Sequence, residues 1–107
     1  MKEENFLLTN FEIQAGVNLD ISLSYVLVGE LNAKKDNCIL ILTSYSATHE
    51  DALDLIPDSE YIEASKYCFV IINMIANSAS SSPSNTSVPF DGPRFPLVTV
   101  HDNVVAQ

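Results

Sequence analysis

Two short runs of this sequence are apolar at every position: Cys38-Ile39-Leu40-Ile41-Leu42 and Cys68-Phe69-Val70-Ile71-Ile72, the second preceded by Tyr67. A strand with one solvated face alternates apolar and polar residues, so unbroken runs of this length predict strands of a parallel sheet covered by helices on both faces. Parallel neighbours cannot be joined by a tight turn and need a crossover of a dozen or more residues. The 24 positions 43–66 provide one, with Ala52, Leu53, Leu55 and Ile56 as the apolar side of a short helix that Pro57 ends, and room for a second turn around 61–64.

Upstream, Ile21-Ser22-Leu23-Ser24-Tyr25-Val26 alternates with period two, and Phe11 and Ile13 do so more weakly. An antiparallel hairpin over 6–14 and 21–28 follows, turning at Ala15-Gly16-Val17-Asn18. Downstream, residues 77–96 are rich in Ser, Pro and Asn without periodicity, which predicts a loop of about twenty residues. With only Val88 and Phe90 as apolar anchors, that loop is expected to move more than the strands beside it. Thr99 can cap a final helix with Asp102 completing a capping box, and Val100, Val104 and Val105 are then expected to face the sheet. A hairpin followed by a parallel pair with a helical crossover makes the chain α/β.

At 107 residues the chain is one domain at most, and its 47% hydrophobic content is too high for a disordered one. The formal charge of -9 argues against nucleic acid, whose binding rests on clustered Lys and Arg. Six acids lie between Glu50 and Glu63 and read as a solvated helix face. Cys38 and Cys68 both sit inside the apolar runs, where a free cysteine behaves as a small buried hydrophobe. The amino terminus has no basic secretory region and no apolar run approaches a membrane span, so a cytoplasmic protein without a membrane association is expected. No phosphate-binding glycine loop, metal-ligand spacing or Gly-x-Ser-x-Gly elbow occurs, and no resident cofactor or metal is expected.

Three blocks carry a resemblance: Leu31-Asn32 with Asp36-Asn37, Leu42-Thr43-Ser44-Tyr45-Ser46-Ala47-Thr48-His49, and residues 73–107. The last contains Ser80-Ser81-Ser82-Pro83-Ser84-Asn85, Gly92-Pro93-Arg94-Phe95-Pro96, Asp102-Asn103-Val104 and the closing Ala106-Gln107. Together they resemble the homoserine O-acetyltransferase-like branch of the α/β-hydrolase superfamily, in its N-terminal portion. The resemblance implies that residues 1–107 form the opening of that fold's sheet, without the nucleophile strand and all that follows it. It further implies a parent enzyme in which a serine takes an acetyl group from acetyl-CoA, as substrate, and passes it to a hydroxyl. Within the same class stands a hydrolase with water as acceptor; outside it stands a noncatalytic interaction protein derived from the family.

By that resemblance the nucleophile, acid and base are absent from this chain, which is expected to be inactive alone. The backbone amides of Ser44 and Tyr45, in the turn after the third strand, are the candidates for one oxyanion-hole donor. His49 matches a histidine of that turn and reads as structural rather than as the base. Arg94 is open between clamping a substrate carboxylate and pairing with Asp91 or Asp102 to fix its loop. Asp102 fits a capping role better than a partial triad with His101 or His49. Glycine is usual in the family where this chain has Ala47, Ala76 and Ser78, and glycine there would allow positive φ or close backbone approach. The expected partner is the remainder of a hydrolase domain or a full-length relative. Self-association is expected through the Cys38–Leu42 edge, which has no lysine, proline or bulge to discourage pairing.

Overall fold

A computed structural model describes residues 1–44, 46–54, 56 and 63–107. Strands β1 (Lys2–Glu12) and β2 (Asn18–Val28) form the antiparallel hairpin, longer at its amino end than the alternation suggests. The turn closes through Ile13 N-H to the Val17 carbonyl at 3.0 Å. Strand β3 (Cys38–Leu42) leads through helix α1 (His49–Leu53) and a 3-10 turn (Ala64–Lys66) to strand β4 (Cys68–Ile72). Helix α2 (Val100–Ala106) comes last. The sheet order is β1-β2-β4-β3, with β2 antiparallel and β3 parallel to β4. The hairpin, the parallel pair and the helical crossover are therefore as the sequence predicts. Leu55, Pro57 and the start of the second turn lie outside the described residues.

Side-chain parity along β2 splits the core between the two faces of the sheet. Leu19, Ile21 and Leu23 point one way and pack with Ile13 and Ile75, with Phe90, Phe95, Val98 and Ala106 closing over them. Val26 points the other way, beside its cross-strand partner Ile71, and Ala52, Leu53 and Ile56 from the crossover cover that pair. Acidic Glu50, Asp51, Asp54 and Glu63 face solvent, in keeping with a solvated face. Gly29 ends β2 at φ +85°, where a Cβ would collide with the Tyr67 carbonyl oxygen. Glycine is required there on both counts.

Three expectations are overturned. The apolar runs are not equally covered: β4 has Cys68, Phe69 and Ile71 buried and Val70 and Ile72 half-buried, whereas β3 shows Leu40 and Leu42 about half exposed, at 50% and 49%, on the face that carries Val70 and Ile72. Cys38 lies on that open face too and is exposed, while Cys68 is buried. Helix α2 does not turn its valines to the sheet. Val100, Val104 and Val105 are 74%, 63% and 59% exposed, and the inward stripe is Asp102, Asn103 and Ala106. Apolar spacing alone missed this because the inward residues satisfy backbone amides that no strand reaches.

The third correction concerns the anchors of the serine-rich loop. Strand β4 stops at Ile72, leaving the amino half of β2 without a neighbour on that side. Serine hydroxyls substitute for the missing strand: Ser80 Oγ accepts the Ser24 amide at 2.9 Å and Ser81 Oγ accepts the Ser22 amide at 2.8 Å. Ser81 N-H donates to the Ser22 carbonyl at 2.9 Å, as a strand residue would. Ser80, Ser81 and Ser82 are buried, and Asn85 Oδ1 accepts the Ser82 amide at 2.7 Å. The loop is irregular as predicted, but its anchors are hydroxyls; Phe90 joins the core and Val88 is exposed.

Candidate functional site

Ligand sites in open α/β sheets form beyond the carboxyl ends of the strands. Here those ends belong to β3 and β4. Beyond β3, the Ala47 amide bonds the Ser44 carbonyl at 3.0 Å, and Ser46 takes a left-handed φ of 65°. Asp51 accepts the Thr48 amide at 2.8 Å and starts α1. Among the described residues the Ser44 amide has no protein acceptor, and Ser44 is exposed. Tyr45, the other oxyanion candidate, lies outside the described residues.

Asn73, fully buried just past β4, ties this turn to the sheet. Its Oδ1 accepts the His49 amide at 2.8 Å, and its Nδ2 donates to Ser24 Oγ at 3.2 Å and faces His49 Nδ1 at 3.0 Å. The other ring nitrogen, Nε2, lies 3.3 Å from Glu3 Oε1 but makes no hydrogen bond among the described residues. His49 thus sits between Asn73, which holds the turn, and Glu3 of β1. Thr43 Oγ1 accepts the Met74 amide at 3.1 Å, a further tie between the two strand ends.

Beyond β4 the chain crosses two left-handed residues, Ala76 (φ 71°) and Ser78 (φ 76°), the very positions where glycine is usual in the resembled family. Ala47 differs: the left-handed residue of its turn is the preceding Ser46. A cleft of about 670 Å³ opens between Ser46, Met74, Asn77, Ser78 and the start of α2 at Thr99 and Val100. None of its lining residues is charged.

The start of α2 is fixed from both sides. Thr99 Oγ1 accepts the Asp102 amide at 3.2 Å while Asp102 Oδ2 accepts the Thr99 amide at 2.9 Å, the capping box the sequence predicts. Asp102 Oδ1 also accepts the Gln14 amide at 2.9 Å. Burial resists the charge on this carboxyl, but the Thr99 and Gln14 amides outweigh it, and its pKa is lowered. Asn103 Oδ1 accepts the Ile75 amide at 2.8 Å. Arg94 stands apart in a 3-10 turn (Gly92–Arg94), exposed and paired with the half-buried Asp91 at 2.9 Å. His101 is exposed on α2. Among the described residues no three His, Cys, Asp or Glu side chains are grouped to hold a metal ion. No helix among them is long and apolar enough to cross a membrane.

No family model matches the chain. Ethyl acetate hydrolase of Pseudomonas veronii is 41% identical over 86 residues, covering 79% of this chain and 25% of that one. A homoserine O-acetyltransferase of Nautilia profundicola is 36% identical over 100 residues, 78% of this chain and 27% of that one. An acetylester hydrolase structure from Corynebacterium glutamicum matches at a TM-score of 0.89 and 37% identity, over 99% of this chain and 31% of that one. The chain is a homologue of the N-terminal part of α/β-hydrolase-fold esterases and homoserine acyltransferases. It spans about a quarter of the length of the curated relatives it matches.

The structure brings Ser44, His49, Thr43 and Asn73 together around the turn after β3. Arg94 is not part of this group. Asn73, Asn77, Asn103 and the three serines were missed by sequence reasoning. A legible signal existed for Asn73, a lone amide directly abutting five apolar residues, since a polar group at the end of a buried strand needs partners.

Proposed function

We propose that this chain is the oxyanion-loop portion of a serine acyl-transfer enzyme of the α/β-hydrolase fold and has no turnover of its own. The observation that supports this reading is the turn after β3, where the Ser44 amide has no acceptor among the described residues while His49, Thr43 and Asn73 tie the turn to the sheet. A developing oxyanion requires a backbone amide that is free to donate to it. In the whole protein, a serine outside this match accepts the acyl group, and the backbone amide of Ser44 or Tyr45 serves as one oxyanion donor. The acyl group is acetyl, taken from acetyl-CoA and delivered to a hydroxyl such as that of homoserine.

A second reading, ester hydrolysis with water as acceptor, is favoured by the 41% identity to an ethyl acetate hydrolase against 36% to a homoserine O-acetyltransferase. Both readings share the acyl-serine step. The remainder of a hydrolase domain, or a full-length relative, pairs with the free edge of β3 beside Leu40 and Leu42; without it a second copy does so. We place the protein in the cytoplasm, where thiols such as Cys38 and Cys68 are kept reduced.

The test is a chimera in which this chain replaces the matched 86 residues of the Pseudomonas veronii enzyme. Isolated, the chain should not exceed the buffer blank with p-nitrophenyl acetate or with acetyl-CoA plus homoserine. The chimera should turn over p-nitrophenyl acetate, and a folded chimera that does not would overturn the oxyanion-loop reading. Turnover by the isolated chain that a single Ser→Ala change abolishes would overturn the proposal.

A further inference from the structure

We propose that Cys38 and Cys68 form a reversible disulfide across the β3-β4 ladder when the protein meets a peroxide. The two cysteines are direct cross-strand partners in the parallel register. Parallel partners project to the same face, and neighbouring strands lie about 4.8 Å apart, inside the Cα separation a disulfide spans. The Cys68 amide donates to the Asn37 carbonyl at 2.9 Å, which fixes the two strand starts side by side. Asn37 Nδ2 bonds the Glu30 and Lys66 carbonyls at 2.9 and 3.0 Å and holds the approaches to both strands.

The two thiols differ in a way that orders the chemistry. Cys38 is exposed and Cys68 buried. Burial, and next the neighbouring Cys38, push the Cys68 thiol up, which keeps it protonated and out of the first step. The Cys38 thiolate attacks one peroxide oxygen, the O-O bond breaks, and a sulfenic acid and hydroxide form. The Cys68 sulfur then attacks the Cys38 sulfur; the S-O bond breaks and water leaves. Two thiols and one hydrogen peroxide thereby become one disulfide and two waters.

Disulfide Cβ atoms lie closer than those of parallel neighbours, by roughly 1 Å, so the bond draws β3 toward β4 under strain. Strained disulfides are readily reduced, which makes the link reversible by thiols. It clamps the start of the edge strand at the end of the sheet away from the Ser44 turn, and so stiffens β3 without touching the candidate site.

The test treats the intact 107-residue chain with equimolar hydrogen peroxide and maps its peptides without reduction. A Cys38–Cys68 peptide pair and a monomer lighter by about 2 Da, two hydrogens, are expected, both restored by dithiothreitol. In Cys68→Ser, dimedone should trap a sulfenic acid at Cys38; in Cys38→Ser, Cys68 should stay unmodified. Circular dichroism of each variant establishes that it is folded, and the wild-type map stands by itself if one is not. Cys38–Cys38 dimers without the intramolecular pair, or dimedone capture at Cys38 in the wild type with no mass loss, would overturn the proposal.

Discussion

Strands β3 and β4 are five residues each, apolar throughout and hydrogen-bonded to one another, yet they live in different environments. Strand β4 has backbone neighbours on both sides, and its end is gripped by side chains from three directions: Asn73 to α1, Ser80 to Asn73, and Asn103 to Ile75. Strand β3 has β4 alone, and one of its faces is open. The same all-apolar pattern therefore gives a pillar in one place and an edge in the other; what differs is what the rest of the chain sends to cover it.

The largest expected effect tests that difference directly. Ile71→Ala on β4 removes a fully buried side chain packed against Val26 and Ala52, and should cost about 2–5 kcal/mol. Leu40→Ala on β3 removes one already half in water and should cost about 1 kcal/mol. Urea unfolding of the two variants measures both. Equal costs would mean that the outer face of β3 is covered in solution, by a second copy or otherwise, and the contrast would fail.

Next in size is Asn73→Ala. The change leaves the His49 amide and Ser24 hydroxyl without their partner, at about 2–3 kcal/mol for buried groups left unsatisfied. Hydrogen exchange should then accelerate at His49 more than at Ile39 to Ile41. Uniform acceleration along both strands would show that Asn73 supports the sheet at large rather than the turn.

Much of this was legible in sequence, for physical reasons that also mark where legibility stops. Period-two alternation found the hairpin, continuous runs found β3 and β4, and Thr99 with Asp102 announced α2, because each signal is local. Val100, Val104 and Val105 misled because apolar periodicity assumes that the inward face is oily. The loop misled similarly: a run of serines reads as solvated chain, and nothing local tells that two hydroxyls will replace a missing strand along β2. At the candidate site, the position of Ser44 came from a resemblance. The brace behind it, Asn73 with His49, comes from residues 24 positions apart and is visible only once folded.

Acid offers a finer probe of the α2 side of β4. The pKa of Asp102 is lowered from 3.8, so its contribution to stability is present above that value and is lost as pH falls through the lower, folded one. Comparing wild type with Asp102→Asn in urea from about pH 6 to about pH 3 should show a gap that is widest at the upper end and narrows in acid. A gap independent of pH would assign the role of Asp102 to shape and neutral hydrogen bonding alone.

The smallest effect has the opposite sign. Ala76 and Ser78 hold left-handed backbone where the chain leaves β4, a conformation that costs a residue with a Cβ about 1–2 kcal/mol. Ala76→Gly removes that cost but gives the unfolded chain more freedom, worth about 0.5–1 kcal/mol against it. The balance is a net gain of up to about 1 kcal/mol, read as a small rise in Tm. Ala79→Gly is the control, since Ala79 has no left-handed φ and should lose what Ala76 gains. If both substitutions lower Tm equally, Ala76 is not strained. The close grip on the end of β4 would then come without the backbone cost that now sets it apart from β3, whose own turn places its left-handed residue at Ser46.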